Sequence, residues 1–253
     1  MARAPLEAQR RAYASQGHVC LGPVLTDEQL GAVRAAVDEA AGSRATTAAS
    51  AYGDIVHNPW THSQACAELI AAALFEPARA LLGCDQLVLF QDLFISKPPG
   101  TTTPISWHQD YSYWPIDGPA GITLWIALDD TDVDNGCLHY MPGTHRLGER
   151  QPADFVAGAS QPRRPDLPPL DVAAHAGQAT AAAIPAGTAL AHHPLLWHMS
   201  PANRSRAPRR AWSITWLSPA ARWAPEHAPH PFCYSQQPVA GAAVTGALFP
   251  RFP

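Results

Sequence analysis

Trp107-His108-Gln109-Asp110 closes a strand-like run, and Leu196-Trp197-His198-Met199-Ser200 answers it about ninety residues later. Successive side chains of an extended chain point to opposite faces, so His108 and Asp110 reach the same side while Gln109 turns away. Two imidazoles and one carboxylate occupy one face of an Fe(II) ion and leave the opposite positions open for a cosubstrate and O2. A third ligand so far along the chain demands a fold that lays remote strands side by side. The surrounding sequence has that character. Short apolar runs at 87–97, 106–110, 121–129, 138–141, 181–184, 188–192 and 210–217 are separated by turns such as Pro98-Pro99-Gly100, Asn135-Gly136 and Pro185-Ala186-Gly187. No long helix interrupts them, which predicts a mainly β chain of sandwich or jelly-roll type.

Upstream the pattern changes. Helices are expected at 6–16 and from an N-cap at Thr26 through Ala41, with Asp27 and Glu28 in the first turn, where the helix dipole favours acids, and Leu30, Val33, Ala36 and Val37 at helical spacing. Between them, 17–21 reads as a first strand. Residues 42–61 hold no period and read as a pocket-lining loop carrying His57, Asn58, Pro59 and Trp60; a further helix is expected over 63–82, stopped by Gly83. Residues 146–176, with Pro162-Arg163-Arg164-Pro165 and Pro168-Pro169, are far longer than a hairpin connection and form a candidate lid. Residues 219–253, rich in Pro and aromatics, are expected to wrap the barrel, and the whole chain, 1–253, to form one domain.

Composition narrows the partners. A net charge of -4 without any Lys/Arg run argues against nucleic acid, whose phosphates need a basic face, and leaves a small organic molecule. Residues 1–17 are polar and no stretch is apolar for the ~18 residues of a membrane span, so no membrane association is expected. Cys20, Cys66, Cys84, Cys137 and Cys233 are scattered without a Cys-x-x-Cys pair; they suggest neither a disulfide framework nor a zinc knuckle, and a cytoplasmic location.

Several motifs then occur in one order: His108-Gln109-Asp110, Asn135-Gly136, Pro142-Gly143-Thr144-His145, His198-Met199-Ser200 and Arg209. From about Gly17 to about Leu217 the chain thereby resembles the phytanoyl-CoA dioxygenase (PhyH-like) family of Fe(II)/2-oxoglutarate-dependent oxygenases. The resemblance implies a double-stranded β-helix (jelly-roll, cupin-like) barrel with flanking N-terminal helices and the metal inside. It implies His108, Asp110 and His198 as the iron ligands and catalytic centre, and Arg209 as the guanidinium that takes the far carboxylate of 2-oxoglutarate in a bidentate pair. Arg210 is the rival, since alternation lets only one of the two face inward. Ser200, Trp125 and Leu93 match positions that contact the same cosubstrate, with Gln91 and Lys97 as further candidates. His145 matches a position that is not a ligand, and His139, His192 and His193 read as structural or pocket residues.

The implied reaction consumes 2-oxoglutarate and O2, releases succinate and CO2, and oxidises a small metabolite, in the simplest outcome by hydroxylation. Desaturation, epimerisation or cyclisation would use the same cofactors; a cupin-like metal hydrolase or isomerase, or a non-catalytic binding module, would not. Asp110 disfavours halogenation, because halogenating relatives carry Gly or Ala there. Tyr111, Tyr113 and Trp114, with Trp60, Trp212 and Trp216, are expected to line an aromatic pocket, and Arg146, Arg150, Arg163 and Arg164 to offer an anion catch in the lid.

Overall fold

Two antiparallel sheets face each other in the computed structural model, which describes residues 4–42, 48–50, 53–100, 103–153, 164–228, 230 and 235–253. The large, eight-stranded sheet contains β1 (His18–Pro23), β2 (Ala48–Ser50), β3 (Gly53–His57), β4 (Leu87–Lys97), β6 (Gly121–Ala127), β9 (Thr188–His192), β11 (Arg209–Leu217) and β12 (Arg251–Phe252). Its order is β1-β9-β6-β11-β4-β3-β2, with β12 also on β4. The small sheet contains β5 (Ile105–His108), β7 (Leu138–Tyr140), β8 (Thr180–Ala182) and β10 (His198–Ser200), in the order β5-β10-β7-β8. This is a mainly β jelly-roll.

Alternation along the strands of the large sheet sorts its side chains. Trp212, Ile214 and Trp216 of β11, with Leu124 and Ile126 of β6 and Phe94 of β4, pack on the outer face against the helical layer of α1 (Leu6–Gln16), α2 (Asp27–Gly42), α3 (Gln64–Leu69) and α4 (Phe75–Leu82). Trp125, Ala127, Leu190 and Ala211 take the inner face against Leu138 and Tyr140 of the small sheet. Helix α2 starts at a reciprocal cap: Thr26 Oγ1 accepts from Gln29 N–H at 3.2 Å while Gln29 Oε1 accepts from Thr26 N–H at 2.9 Å. Helix α1 stops at Gly17 with φ 79°, where a Cβ would lie 2.5 Å from His145 Nδ1, so only glycine fits.

The structure departs from the sequence reading in four places. Residues 42–61 are not all loop, because β3 joins the sheet edge by pairing with β4 and its Val56 reaches the helix-side core. The helix expected over 63–82 is split by a π-helical segment, Ile70–Leu74. Pro77 comes three residues after Leu74; it lacks an N–H, and its ring crowds the carbonyl of Ala73 in a regular helix. Asp110 is not part of β5, which ends at His108, but opens a 3-10 turn, Asp110–Tyr113. Trp212 and Trp216, expected near the pocket, lie on the outer face, and Trp60 packs against the same helix-side core.

The C-terminal segment crosses one end of the sheets. Trp223 bridges to Ile116, and Trp223, Val244 and Phe249 pack with Phe90 and Trp114. Of the expected lid, residues 154–163 lie outside the described residues, Arg163 among them. Among the described residues no helix is long and apolar enough to cross a membrane.

Candidate metal centre and cosubstrate site

β10 lies beside β5 with His198 directly opposite His108, so strand pairing alone brings the two imidazoles together, ring centres 4.0 Å apart. Gln109, between the strand and the turn, is extended, with φ -119° and ψ 133°. The alternation expected of a strand therefore continues one residue past its end and delivers Asp110 to the same side as His108. Asp110 Oδ1 lies 3.6 Å from His108 Nε2 and 3.4 Å from His198 Nε2. Among the described residues this is the one cluster of three such side chains able to hold a metal ion, with its ligand atoms all within 4.8 Å of one another.

Each ring is turned by its own backbone. His108 Nδ1 lies 2.7 Å from Ser106 O and His198 Nδ1 2.9 Å from Leu196 O. A carbonyl only accepts, so both rings carry their proton on Nδ1 and present the Nε2 lone pair to the cluster, the form a cation needs. A proton on a histidine Nε2 competes with a cation for the same carboxylate. Burial would raise the Asp110 carboxyl, but the charge of His198 and hydrogen bonds from His108, His192 and His198 hold it well below the usual carboxylate range. Burial and the neighbouring His198 push His108 down, whereas His198, despite its burial, is raised by the charge of Asp110.

Farther along the inner face of the large sheet, Arg209 pairs in register with Lys97, two positions beyond the Ala211–Ile95 pair. Arg209 is 1% exposed. Its Nη2 donates to Ser200 Oγ at 3.2 Å, its Cζ lies over the Trp125 ring 5.4 Å from the ring centre, and its Nε and Nη1 have no hydrogen-bond partner among the described residues. Burial lowers its pKa to about 10. Arg210 points the other way, onto Asp129 and Asp38, so alternation decides between the rivals. Trp125, Ser213 and Leu93 form one cross-strand row on the inner face, between Arg209 and the histidines' end of the sheet.

Lys97 is fully buried; its Nζ donates to Ser200 O at 2.9 Å and to Pro201 O, and burial, with the charge of Arg209, lowers its pKa to about 7. Ser200 Oγ in turn donates to Gly136 O at 2.8 Å. Gly136, at φ 90°, approaches this end so closely that a Cβ would meet Pro201 O at 2.7 Å, which accounts for the Asn-Gly turn. Arg209, Ser200, Lys97 and Trp125 thus share one buried end of the barrel.

Three residues were not assigned a role at the centre by the sequence. His192 Nε2 lies 3.1 Å from Asp110 Oδ2, and Thr123 Oγ1 donates to the same oxygen at 2.8 Å. Gln109 is fully buried and braces the centre from behind: its Nε2 donates to Leu195 O at 2.7 Å and Gly148 O at 3.0 Å, and its Oε1 accepts from Arg150 N–H at 2.7 Å. Neither His139, 3.3 Å from Cys137 O, nor His145, 3.2 Å from Ala14 O, belongs to the cluster. Of the expected aromatics Tyr113 stands edge-on to His108 at 6.2 Å, whereas Tyr111 and Trp114 are core. Arg164 is held by Asp166 and Glu149, and Arg146 donates to Ser15 O at 3.0 Å, so neither stands unengaged as an anion catch.

A family model, phytanoyl-CoA dioxygenase (PhyH), matches residues 13–211, well over half of the chain. The chain belongs to the phytanoyl-CoA dioxygenase family. A member from Arabidopsis thaliana, named phytanoyl-CoA dioxygenase, is 31% identical over 159 residues, 60% of this chain and 53% of that protein, so the chain spans about half the length of this relative. Among solved structures, the non-heme alpha ketoglutarate dependent carbocyclase SnoK from nogalamycin biosynthesis superposes with a TM-score of 0.82 at 24% identity, covering 100% of both chains. The epimerase SnoN, solved in complex with Fe3+, alpha ketoglutarate and nogalamycin RO, gives a TM-score of 0.79 at 23% identity over 97% of this chain and 98% of its own. At these identities the likeness is one of fold, and it extends the family's barrel to the whole chain.

Proposed function

We propose that this protein is an Fe(II)- and 2-oxoglutarate-dependent oxygenase that oxidises a small organic metabolite in the cytoplasm, with hydroxylation as the simplest outcome. His108, Asp110 and His198 hold the iron. Arg209 takes the far carboxylate of 2-oxoglutarate, Ser200 accompanies it, and Trp125 and Leu93 flank its chain. The observation that carries this reading is the Arg209 guanidinium, buried with two nitrogens unpartnered among the described residues, in the same interior between the sheets as the three candidate ligands. A buried cation without a carboxylate is costly unless a ligand anion completes it. A metal hydrolase or a bare binding module has no use for one in that place.

When bound, iron supplies the O2 chemistry that couples decarboxylation of 2-oxoglutarate, to succinate and CO2, to oxidation of the substrate. The protein's own part is placement. The Nδ1 contacts to Ser106 O and Leu196 O fix both imidazoles in the ligating tautomer. Burial around Arg209, Trp125 and Leu190 keeps water from the cosubstrate, and the Lys97 ammonium holds the Ser200–Pro201 turn against it. Four described cysteines, Cys20, Cys66, Cys84 and Cys137, are free thiols, in keeping with a reducing compartment. A carbocyclase and an epimerase share the fold, so ring closure and epimerisation are the alternative outcomes.

The test is conversion of 2-oxoglutarate by purified protein in air. Slow Fe(II)-dependent succinate release without added substrate, lost at least ~100-fold in His198→Ala and accelerated by members of a small-molecule library, is the expected result. Metal-dependent hydrolysis of library members with no consumption of 2-oxoglutarate would overturn the proposal.

A further inference from the structure

The two oxygens of Asp110 do different work. Oδ1 faces His108 Nε2 at 3.6 Å and His198 Nε2 at 3.4 Å, whereas Oδ2 is turned away and accepts from Thr123 Oγ1 at 2.8 Å and from His192 Nε2 at 3.1 Å. We propose that Thr123, His192 and Tyr140 form a clamp that holds Asp110 as a one-oxygen ligand and so keeps a coordination position open for the cosubstrate. The inference rests on the Fe(II)/2-oxoglutarate reading above and adds three positioning residues to it.

The two groups that touch Asp110 belong to the opposite sheet. Thr123 of β6 and His192 of β9 are register partners in the large sheet, while Asp110 follows β5 of the small one, so the carboxylate is gripped across the interior. The pattern of protons follows from the acceptors. A carboxylate oxygen cannot donate, so the Nε2 of His192 carries the proton, leaving Nδ1 as an acceptor. Tyr140 supplies the matching donor, its hydroxyl 3.0 Å from Nδ1. Tyr140 is fully buried, stacked on His18 with ring centres 4.4 Å apart, and sits opposite His198 in the β7–β10 pairing. The chain Tyr140 to His192 to Asp110 therefore returns to β7, the strand paired with the one that bears His198.

A carboxylate free to turn can chelate a cation through both oxygens. Three protein donors leave three positions of an octahedral ion, two for a chelating 2-oxo acid and one for O2; a second Asp110 oxygen would take one of them. Two donors on Oδ2 oppose that turn. Outer hydrogen-bond partners of metal ligands commonly matter ~10–100-fold in affinity or activity. Here the loss is expected in one particular quantity, the 2-oxoglutarate concentration needed to half-saturate the iron-loaded protein.

The experiment titrates 2-oxoglutarate anaerobically into protein saturated with Fe(II), for wild type, His192→Phe, His192→Gln and Thr123→Val, with melting curves for each. Expected are a rise of ~10-fold or more in half-saturation for His192→Phe, a rise in the same direction for the near-isosteric Thr123→Val, and partial recovery in His192→Gln, which keeps an N–H donor. If His192→Phe loses iron altogether, Thr123→Val decides. Wild-type half-saturation in folded, iron-saturated Thr123→Val and His192→Phe would overturn the clamp, even where iron affinity itself had fallen. Failure of wild type to bind 2-oxoglutarate at all would instead overturn the underlying reading.

Discussion

Arg209 is the residue whose burial is expected to cost the fold most directly. The residue is 1% exposed, and among the described residues only its Nη2 has a hydrogen-bond partner, Ser200 Oγ. Replacing buried ionic groups by apolar side chains of similar volume is often neutral or stabilising by ~1–4 kcal/mol. Arg209→Met is therefore expected to melt at or above the wild-type temperature in the absence of ligands. Wild type loaded with Ni(II), a redox-inert stand-in, gains about 2.7 kcal/mol from 2-oxoglutarate at a hundred times its Kd, and Arg209→Met gains nothing at that concentration. A variant that melts well below wild type and still responds to 2-oxoglutarate would contradict the assignment. Strand alternation alone left Arg209 and Arg210 as an either/or and the family resemblance pointed to Arg209; in β11 Arg209 faces inward and Arg210 turns to Asp129. His192 was less legible still. It lies 82 positions from Asp110, and nothing local marks one histidine of the His192-His193 pair as facing the interior.

At the scale of elements, β4 is held to its neighbours by a buried acid outside the centre. Asp92 Oδ2 accepts from Trp212 Nε1 at 2.8 Å, and its backbone carbonyl accepts from Asn58 N–H at 2.8 Å where β3 ends. Burial pushes its carboxyl up to about 7, against the hydrogen bond from Trp212, which acts to lower it. The folded chain thus keeps a proton that the unfolded chain releases near 3.8, and between those pH values stability falls as pH rises, by up to about 4 kcal/mol if the whole shift is expressed. In urea titrations Asp92→Asn is expected to flatten this slope from pH 4 to 7 and to be more stable than wild type above pH 7. An unchanged slope would show that Asp92 is ionised throughout. The elements themselves were read with uneven success, for physical reasons. β4, β6 and β9 are long or apolar enough to carry a signal, and α2 announces its start with Thr26 and Gln29. β3 is a five-residue strand opened by Gly53-Asp54, too short and polar to show a period, and β10 is three residues held only by its partners.

Across the whole molecule, function depends on which strands become neighbours. His108 and His198 are opposite each other because β10 runs between β5 and β7, and Arg209 reaches the same interior because β11 runs between β4 and β6. Short strands separated by Gly and Pro turns implied two sheets, and the order of motifs implied the family; the strand order itself is set by contacts between distant segments that no local pattern encodes. The aromatic pocket shows the cost of lacking that order. Trp212 and Trp216 alternate onto the helix side, so only Tyr113 of the expected set stands beside the candidate ligand histidines.

The central claim, that this interior takes Fe(II) and then 2-oxoglutarate, is tested most directly by anaerobic titration of the apo-protein with one and then the other while recording the visible spectrum. The account predicts a weak metal-to-ligand charge-transfer band on addition of 2-oxoglutarate, absent in His108→Ala and requiring much more 2-oxoglutarate in Arg209→Ala. Bound iron with no such band in the wild-type protein at any 2-oxoglutarate concentration would contradict it.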